Sequence, residues 1–382
     1  MKKILVSLLI IMLVANLAAC SAPAPAPTTA APTTAPAETT APATTTQPPV
    51  EGIKVALLVP FRGDQSYFDV TANGMALIEQ EIEGAETTII EMGRDQSRWE
   101  NYYLDAAEGD FDIIIGGNWE ASPTFEKVIE QFPDKKFINF DWDVPPSFEN
   151  TYGMFYKANE LGYLTGLVAG LVTKTELPYS DPSKNIIGAI GGMEFAGIND
   201  FLYGYIQGAQ AVNPEVKVFI AYANNFGDPG KGKEIALNQY GNGADIIFHA
   251  AGGTGNGLFD AAVEAERYAL GVDADQALLF ANDPAKQEKI LTSGTKNIDL
   301  AILQAIQRHL DGTLPYGELE ILGVADNGVG LAKNDIYNTL PQDLRDIVDE
   351  YEQKVISGEV EVKSALTLST DEWNEIKESV QP

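Results

Sequence analysis

Acidic side chains at matched places in the chain are the first candidates for chemistry. Asp141 follows the apolar run Phe137–Phe140, and Asp273 follows Tyr268–Val272. Two carboxylates can form an acid–base pair for hydrolysis. They serve equally well as acceptors for the hydroxyls or amines of a bound solute, or as caps on the helices that follow. The rest of a catalytic constellation is missing. The two histidines, His249 and His309, stand 60 positions apart in no HExxH or similar pattern, so neither a metal site nor a triad is spelled out. No Gly-x-Ser-x-Gly nucleophile elbow occurs. A single cysteine, Cys20, excludes an intramolecular disulfide and a thiolate metal cluster. These residues point to a binding protein without cofactor or metal rather than to an enzyme.

Two glycine motifs bear on phosphate chemistry. Gly227-Asp228-Pro229-Gly230-Lys231-Gly232-Lys233 fits the first seven positions of a phosphate-binding loop, but Glu234 follows where a Ser or Thr hydroxyl would hold Mg²⁺. A carboxylate there repels triphosphate, and the segment reads as a turn that starts a helix. Gly252-Gly253-Thr254-Gly255-Asn256-Gly257 lies between a strand and a helix, where Gly253 and Thr254 can bring backbone N–H groups close to an anion or polar ligand. Leu258 stands in place of the third glycine of a dinucleotide fingerprint, so that ligand class is excluded. Tyr67, Phe68, Phe226 and Trp119 follow strands, where flat rings can sandwich a planar or sugar ligand instead of joining a core.

The elements that position these residues alternate. Apolar β-rich runs at Ile53–Val59, Thr87–Glu91, Phe111–Ile115 and Phe137–Phe140 are separated by amphipathic stretches. The same order returns at Asn185–Ile190, Lys217–Ala221, Asp245–Phe248 and Tyr268–Val272. This pattern predicts parallel sheets covered by helices on both faces. Val59 to Asp141 spans 82 positions and Ile190 to Asp273 spans 83, which reads as a structural repeat. Two such lobes turn their strand C-termini toward a common cleft, and open α/β sheets bind ligands there. Lys296–Leu310 and the Leu319–Val324 region are expected to cross between lobes as a hinge.

Lys2 and Lys3 precede an apolar run, Ile4–Leu17, that ends in Leu17-Ala18-Ala19-Cys20. That is a secretory signal with a small-residue cleavage site, shorter than the ~20 apolar residues that span a bilayer. From Ser21 to Pro49 only Ala, Pro, Thr, Ser, Gln and one Glu occur, a composition that cannot bury enough apolar surface to fold. It reads as a tether, extending about 3.1 Å per residue where polyproline-like. The net charge of −30 argues against nucleic acid or an anionic membrane surface as direct partner.

The phrases Asp64-Gln65-Ser66-Tyr67-Phe68-Asp69, Gly191-Gly192-Met193, Asn225-Phe226-Gly227-Asp228-Pro229, Ala251-Gly252-Gly253-Thr254-Gly255, Gly271-Val272-Asp273-Ala274-Asp275-Gln276 and Asn327-Gly328-Val329-Gly330 run through most of the folded region. Together with the segment around Lys296, they resemble the basic membrane lipoprotein (PnrA-like) family of bacterial ABC-transporter substrate-binding proteins. Leu17–Cys20 likewise resembles a lipobox, which implies a diacylated Cys20. The resemblance implies the type I periplasmic-binding-protein fold: two Rossmann-like α/β lobes joined by a multi-strand hinge. It implies a purine nucleoside as ligand, with Tyr67 and Phe226 stacking on the base and with Asp273 and Lys296 on the ribose hydroxyls. Asp64 and Asp141 match further polar positions. Gln65 replaces the family's usual Lys, Phe68 its usual Asn, and Leu278–Asp283 departs from the common pattern.

The sequence thus predicts a signal peptide at 1–19, a lipidated Cys and tether at 20–50, lobe I at 51–157 plus about 283–322, and lobe II at 158–282 plus about 323–382. The expected function is nucleoside capture by a monomer, lipid-anchored on the extracytoplasmic face of the cell membrane, for an ABC permease. A sensory ligand-binding lipoprotein for another sugar-like or heteroaromatic solute and an extracellular nucleoside hydrolase are the alternatives.

Overall fold

The computed structural model describes residues 52–382, in which two six-stranded sheets repeat one strand order. The signal peptide, Cys20 and tether lie outside the described residues. The first sheet contains β1 (Lys54–Val59), β2 (Glu86–Glu91), β3 (Ile113–Gly117), β4 (Lys136–Phe140) and β5 (Thr151–Tyr156). The second contains β6 (Ile186–Gly191), β7 (Lys217–Tyr222), β8 (Ile246–Ala250), β9 (Tyr268–Asp273) and β10 (Ile290–Lys296). After β10 the chain adds β11 (Leu319–Leu322) to the first sheet and β12 (Val329–Leu331) to the second. The orders are β2-β1-β3-β4-β5-β11 and β7-β6-β8-β9-β10-β12, equivalent strand for strand. All pairings are parallel except β10 with β12.

Buried central strands explain why the sequence was readable here. β3 (IIIGG) and β8 (IIFHA) are buried at every position, because helices cover both faces of each sheet. Besides the short edge strands β11 and β12, two inner strands escaped the reading. β5 (TYGMFY) carries a glycine and polar residues. β10 (ILTSGTK) reads as a loop, yet it is buried at all but Thr295, between β9 and β12 and against the helix Ala158–Val172.

The helix Ala158–Val172 is buried along its whole length. Gly162 and Gly166 meet the helix Ala196–Val212 at backbone distance: a Cβ on either would stand 2.0 or 2.1 Å from the carbonyl oxygens of Phe201 and Tyr205. Only glycine allows that approach.

The chain crosses between sheets near Lys157, near Asn297 and between Leu322 and Val329. The crossings are tied together. Lys157 donates its N–H to the Leu322 carbonyl at 3.0 Å, Asn297 donates to the Gly328 carbonyl at 2.9 Å, and the Glu160 carboxylate accepts from Val324 N–H at 2.8 Å. The expected return to the first lobe at about 283 is displaced. β10 is hydrogen-bonded to β9, so the chain stays with the second sheet until Lys296, and the helix Ile298–Leu310 then packs on the first-lobe helix Tyr67–Glu81.

Candidate ligand-binding site

The residues that end the strands are bent toward the gap between the sheets. Asn118 after β3, Asp141 after β4, Asn224 after β7 and Asp273 at the end of β9 have φ of 82°, 55°, 57° and 64°. This left-handed conformation turns the chain sharply, and Asn and Asp tolerate it best among residues with a Cβ. An Asn or Asp directly after an apolar run is therefore the sequence signal for this cleft. Between the lobes lies a cavity of about 350 Å³, the scale of small-molecule sites.

Its polar end is built from both sheets. Lys296, at the end of β10, places Nζ 2.9 Å from Asp141 Oδ2, with both side chains largely buried. The same ammonium lies 5.4, 5.5 and 5.0 Å from the ring centres of Tyr67, Tyr156 and Phe201, so three aromatic rings and a carboxylate hold the one cation. Asp273 accepts a 2.5 Å hydrogen bond from Ser66 Oγ of the opposite lobe. Burial pushes the Asp273 carboxyl up to about 6; Lys296 and the Ser66 hydroxyl oppose the shift, while Asp64 and Asp141 add to it. The Tyr67 hydroxyl is buried beside Asp141 without a hydrogen bond of good geometry, and burial first, then that carboxylate, hold its pKa well above the ordinary value.

The other walls are aromatic. Phe68 packs edge-on against Phe61 and Tyr67, each at 5.0 Å between ring centres. Across the gap Trp119 of the first lobe lies 4.6 Å from Phe195 and 6.4 Å from Phe226 of the second. Phe226 rests on Gly192, where a Cβ would stand 2.2 Å from the ring, while Gly191 at the end of β6 leaves room for the Tyr222 ring, 2.6 Å from where a Cβ would stand. At the outer end Arg94 covers the Phe61 ring at 3.7 Å, and burial raises the Glu120 carboxyl, partly offset by Arg94.

Of the residues singled out from sequence, Asp64, Tyr67, Phe68, Trp119, Asp141, Phe226, Asp273 and Lys296 line this cavity. Asp64 does so with a carboxylate already engaged, for it accepts from the N–H groups of Ser66, Phe68 and Asp69 at 3.2, 3.0 and 3.1 Å and so caps the helix Tyr67–Glu81. Gly253 and Thr254 do not line the cavity, which corrects the expectation drawn from the glycine run. Thr254 Oγ1 donates to the Asn225 carbonyl at 2.8 Å and accepts from Asp228 N–H at 2.9 Å, stapling the loop that carries Phe226. The short Gly252–Gly255 helix packs beneath that loop, where Thr254 N–H donates to the Phe226 carbonyl at 3.1 Å.

Sequence reasoning missed Arg94, Glu120, Tyr156 and Phe201. Tyr156 ends the unrecognised β5, and Phe201 sits inside a helix whose period assigns it to the core. Arg94 follows β2, a strand end that the candidate loops omitted.

The remaining motifs have structural roles. Asp228 caps the helix Pro229–Gly241 by accepting from Lys231 N–H at 3.0 Å, and Lys231 pairs with Glu234, as a helix-starting turn requires. His249 is buried, bonded through Nε2 to Gln276 Oε1 at 2.9 Å, and burial lowers its pKa to about 4, so it stays neutral. Among the described residues no group of His, Cys, Asp and Glu could hold a metal ion, and no helix is long and apolar enough to cross a membrane.

Two equivalent α/β lobes, a triple-crossing hinge and a mixed polar and aromatic cavity between them define a two-lobed solute-binding protein. Solved structures agree on the fold. An ABC-transporter solute-binding protein from Aeropyrum pernix superposes with a TM-score of 0.73 at 24% identity, covering 86% of this chain and 97% of its own. The family model for PnrA-like ABC transporter substrate-binding proteins matches residues 53–365, and the chain belongs to that family. Its relatives include basic membrane protein A of Borreliella burgdorferi, 30% identical over 81% of this chain and 88% of the relative. The ABC transporter nucleoside-binding protein BmpA of Lactococcus lactis is 29% identical over 69% and 74%. The CD4+ T-cell-stimulating antigen of Listeria innocua is 34% identical over 67% and 71%.

Proposed function

We propose that the cleft captures a purine-nucleoside-like solute and that the closed protein delivers it to an ABC permease. The observation that carries this reading is the polarity of the cavity: Asp141, Asp273 and Lys296 gather at one end, while Tyr67, Phe68, Trp119, Phe195 and Phe226 supply flat apolar walls. A nucleoside has the matching halves. Its ribose hydroxyls donate to carboxylates and accept from an ammonium, and its base presents two π faces. The named ligand class of the Lactococcus relative supports the same choice.

In this reading Asp273 and Lys296 hold the ribose, Asp141 orients the Lys296 ammonium, and Tyr67 and Phe226 flank the base. Cleft residues come from both lobes, so only the closed form satisfies the solute's donors and acceptors together. No bond is broken. The protein acts as a monomer on the extracytoplasmic face, held by acylated Cys20 on the Ser21–Pro49 tether. Calorimetry of purified protein against adenosine, guanosine, inosine and the pyrimidine nucleosides tests the assignment. Tight binding of at least one purine nucleoside is expected, and failure of the whole panel removes it.

A further inference from the structure

Three consecutive residues of one first-lobe loop are each hydrogen-bonded to the second lobe. The Asp64 carbonyl accepts from Asn256 Nδ2 at 3.2 Å, the Gln65 carbonyl accepts from Gln276 Nε2 at 2.9 Å, and Ser66 Oγ donates to Asp273 at 2.5 Å. Asp273 faces the cavity; Asn256 and Gln276 do not line it. We propose that Asn256 and Gln276 form an interlobe latch that sets the balance between open and closed protein, and with it the affinity of the cleft, without touching the solute. This rests on the reading of the cleft as a solute site.

The loop is built to receive such a latch. The Asp69 carboxylate accepts from Gly63 and Gln65 N–H at 2.7 and 2.8 Å, and Asp64 caps the following helix, so both carbonyls are fixed by contacts within their own lobe. Gln65 has φ of 57°, which folds the chain back on itself.

The donors are equally fixed. Gln276 is fully buried; its Oε1 accepts from Val272 N–H at 2.8 Å and meets His249 Nε2 at 2.9 Å, while its backbone N–H reaches Ser293 Oγ at 3.1 Å. With the oxygen held, the amide nitrogen points at the other lobe. Asn256 starts the helix Asn256–Ala265, and among the described residues the Asp64 carbonyl is the sole hydrogen-bond partner of its carboxamide, whose Oδ1 is buried and unpaired. The Nδ2 bond to Asp64 therefore exists only while the two lobes are together, and opening exchanges it for water. The flanking glycines permit this placement: a Cβ at Gly255 would stand 1.9 Å from His249 Nδ1, and one at Gly257 would stand 1.8 Å from the Pro229 carbonyl oxygen. The glycine run thus presents Asn256 rather than an anion site.

Closure held partly by protein–protein bonds is a conformational equilibrium on which every ligand draws, since apparent affinity scales with the closed fraction. Loss of either bond is expected to weaken binding of every nucleoside that binds the parent by about 2- to 10-fold, with their rank order unchanged.

The test uses spin labels at Lys127→Cys and Asn238→Cys, one on each lobe, in the full mature chain carrying Cys20→Ser. Asn256→Asp is the decisive variant. It keeps the shape, removes the donor, and puts an acid at a helix N-terminus where it does not weaken the fold. Dipolar spectroscopy of ligand-free protein should show a longer interlobe distance in Asn256→Asp and Gln276→Met than in the parent, with melting of Asn256→Asp unchanged. Calorimetry should show the uniform affinity loss. An unchanged distance distribution in Asn256→Asp overturns the latch. If no nucleoside binds the parent, the binding reading fails while the ligand-free distances still decide the latch.

Discussion

Lys296 and Asp141 belong to different sheets, yet their side chains meet at 2.9 Å, both largely buried. The pair is complete only while the lobes are closed. Removing one member leaves a buried charge, worth about 3–5 kcal/mol when nothing relaxes. Opening the lobes rehydrates it, so the cost falls on closure and binding more than on folding. Lys296→Met should weaken binding at least tenfold while shifting the thermal midpoint little. Lys296→Met combined with Asp141→Asn should recover part of the loss, which a double-mutant cycle by calorimetry measures.

Asp273 gives a pH dependence of defined sign. Its carboxyl is raised to about 6 from 3.8, so the folded closed protein holds a proton that the unfolded chain has released between these values. Stabilisation from this group is complete below about pH 4 and lost as the pH rises through 6. At about 1.36 kcal/mol per pKa unit the ionised carboxylate costs the closed ligand-free form at most about 3 kcal/mol at pH 7. Asp273→Asn keeps an acceptor for Ser66 and removes the charge. It should populate the closed ligand-free form more than the parent at pH 7, converge toward it near pH 4, and bind its solute more weakly, as interlobe spin-label distances across pH and calorimetry would show.

Phe226 is only partly buried and stands on a glycine, so its removal leaves no core cavity. Phe226→Ala should cost about 1–3 kcal/mol of binding, the range for base–aromatic stacking, with the melting temperature unchanged. Gly192→Val should have a similar effect by displacing the ring. Titration of both variants with one purine nucleoside checks this.

Cys20→Ser should leave the folded region intact and release the protein from membranes, because in the proposed anchoring one acylated thiol carries the whole attachment. Fractionation of cells expressing each form, with mass measurement of the N-terminal peptide, reads the result.

Strands such as β3 and β8 were legible in the sequence because burial on both faces forces continuous apolar runs. β5 and β10 were not legible because their polar residues are buried by neighbours fixed only in the tertiary fold. The cleft divided the same way. Asp141 and Asp273 follow apolar runs and were found, as were Tyr67 and Phe226 in loops after strands. Arg94, Tyr156 and Phe201 depend on how the lobes face each other, which no local pattern records. Gly253 and Thr254 were misread because a glycine run permits close approach by any neighbour, and here the neighbour is the Phe226 loop.

The most direct test of the account is the identity of the solute the cleft retains. Protein purified without refolding and then denatured should release a purine nucleoside on mass spectrometry, and added purine nucleoside should bind the emptied protein with one-to-one stoichiometry. Release of a solute without a flat ring, together with no binding by any nucleoside, would contradict it.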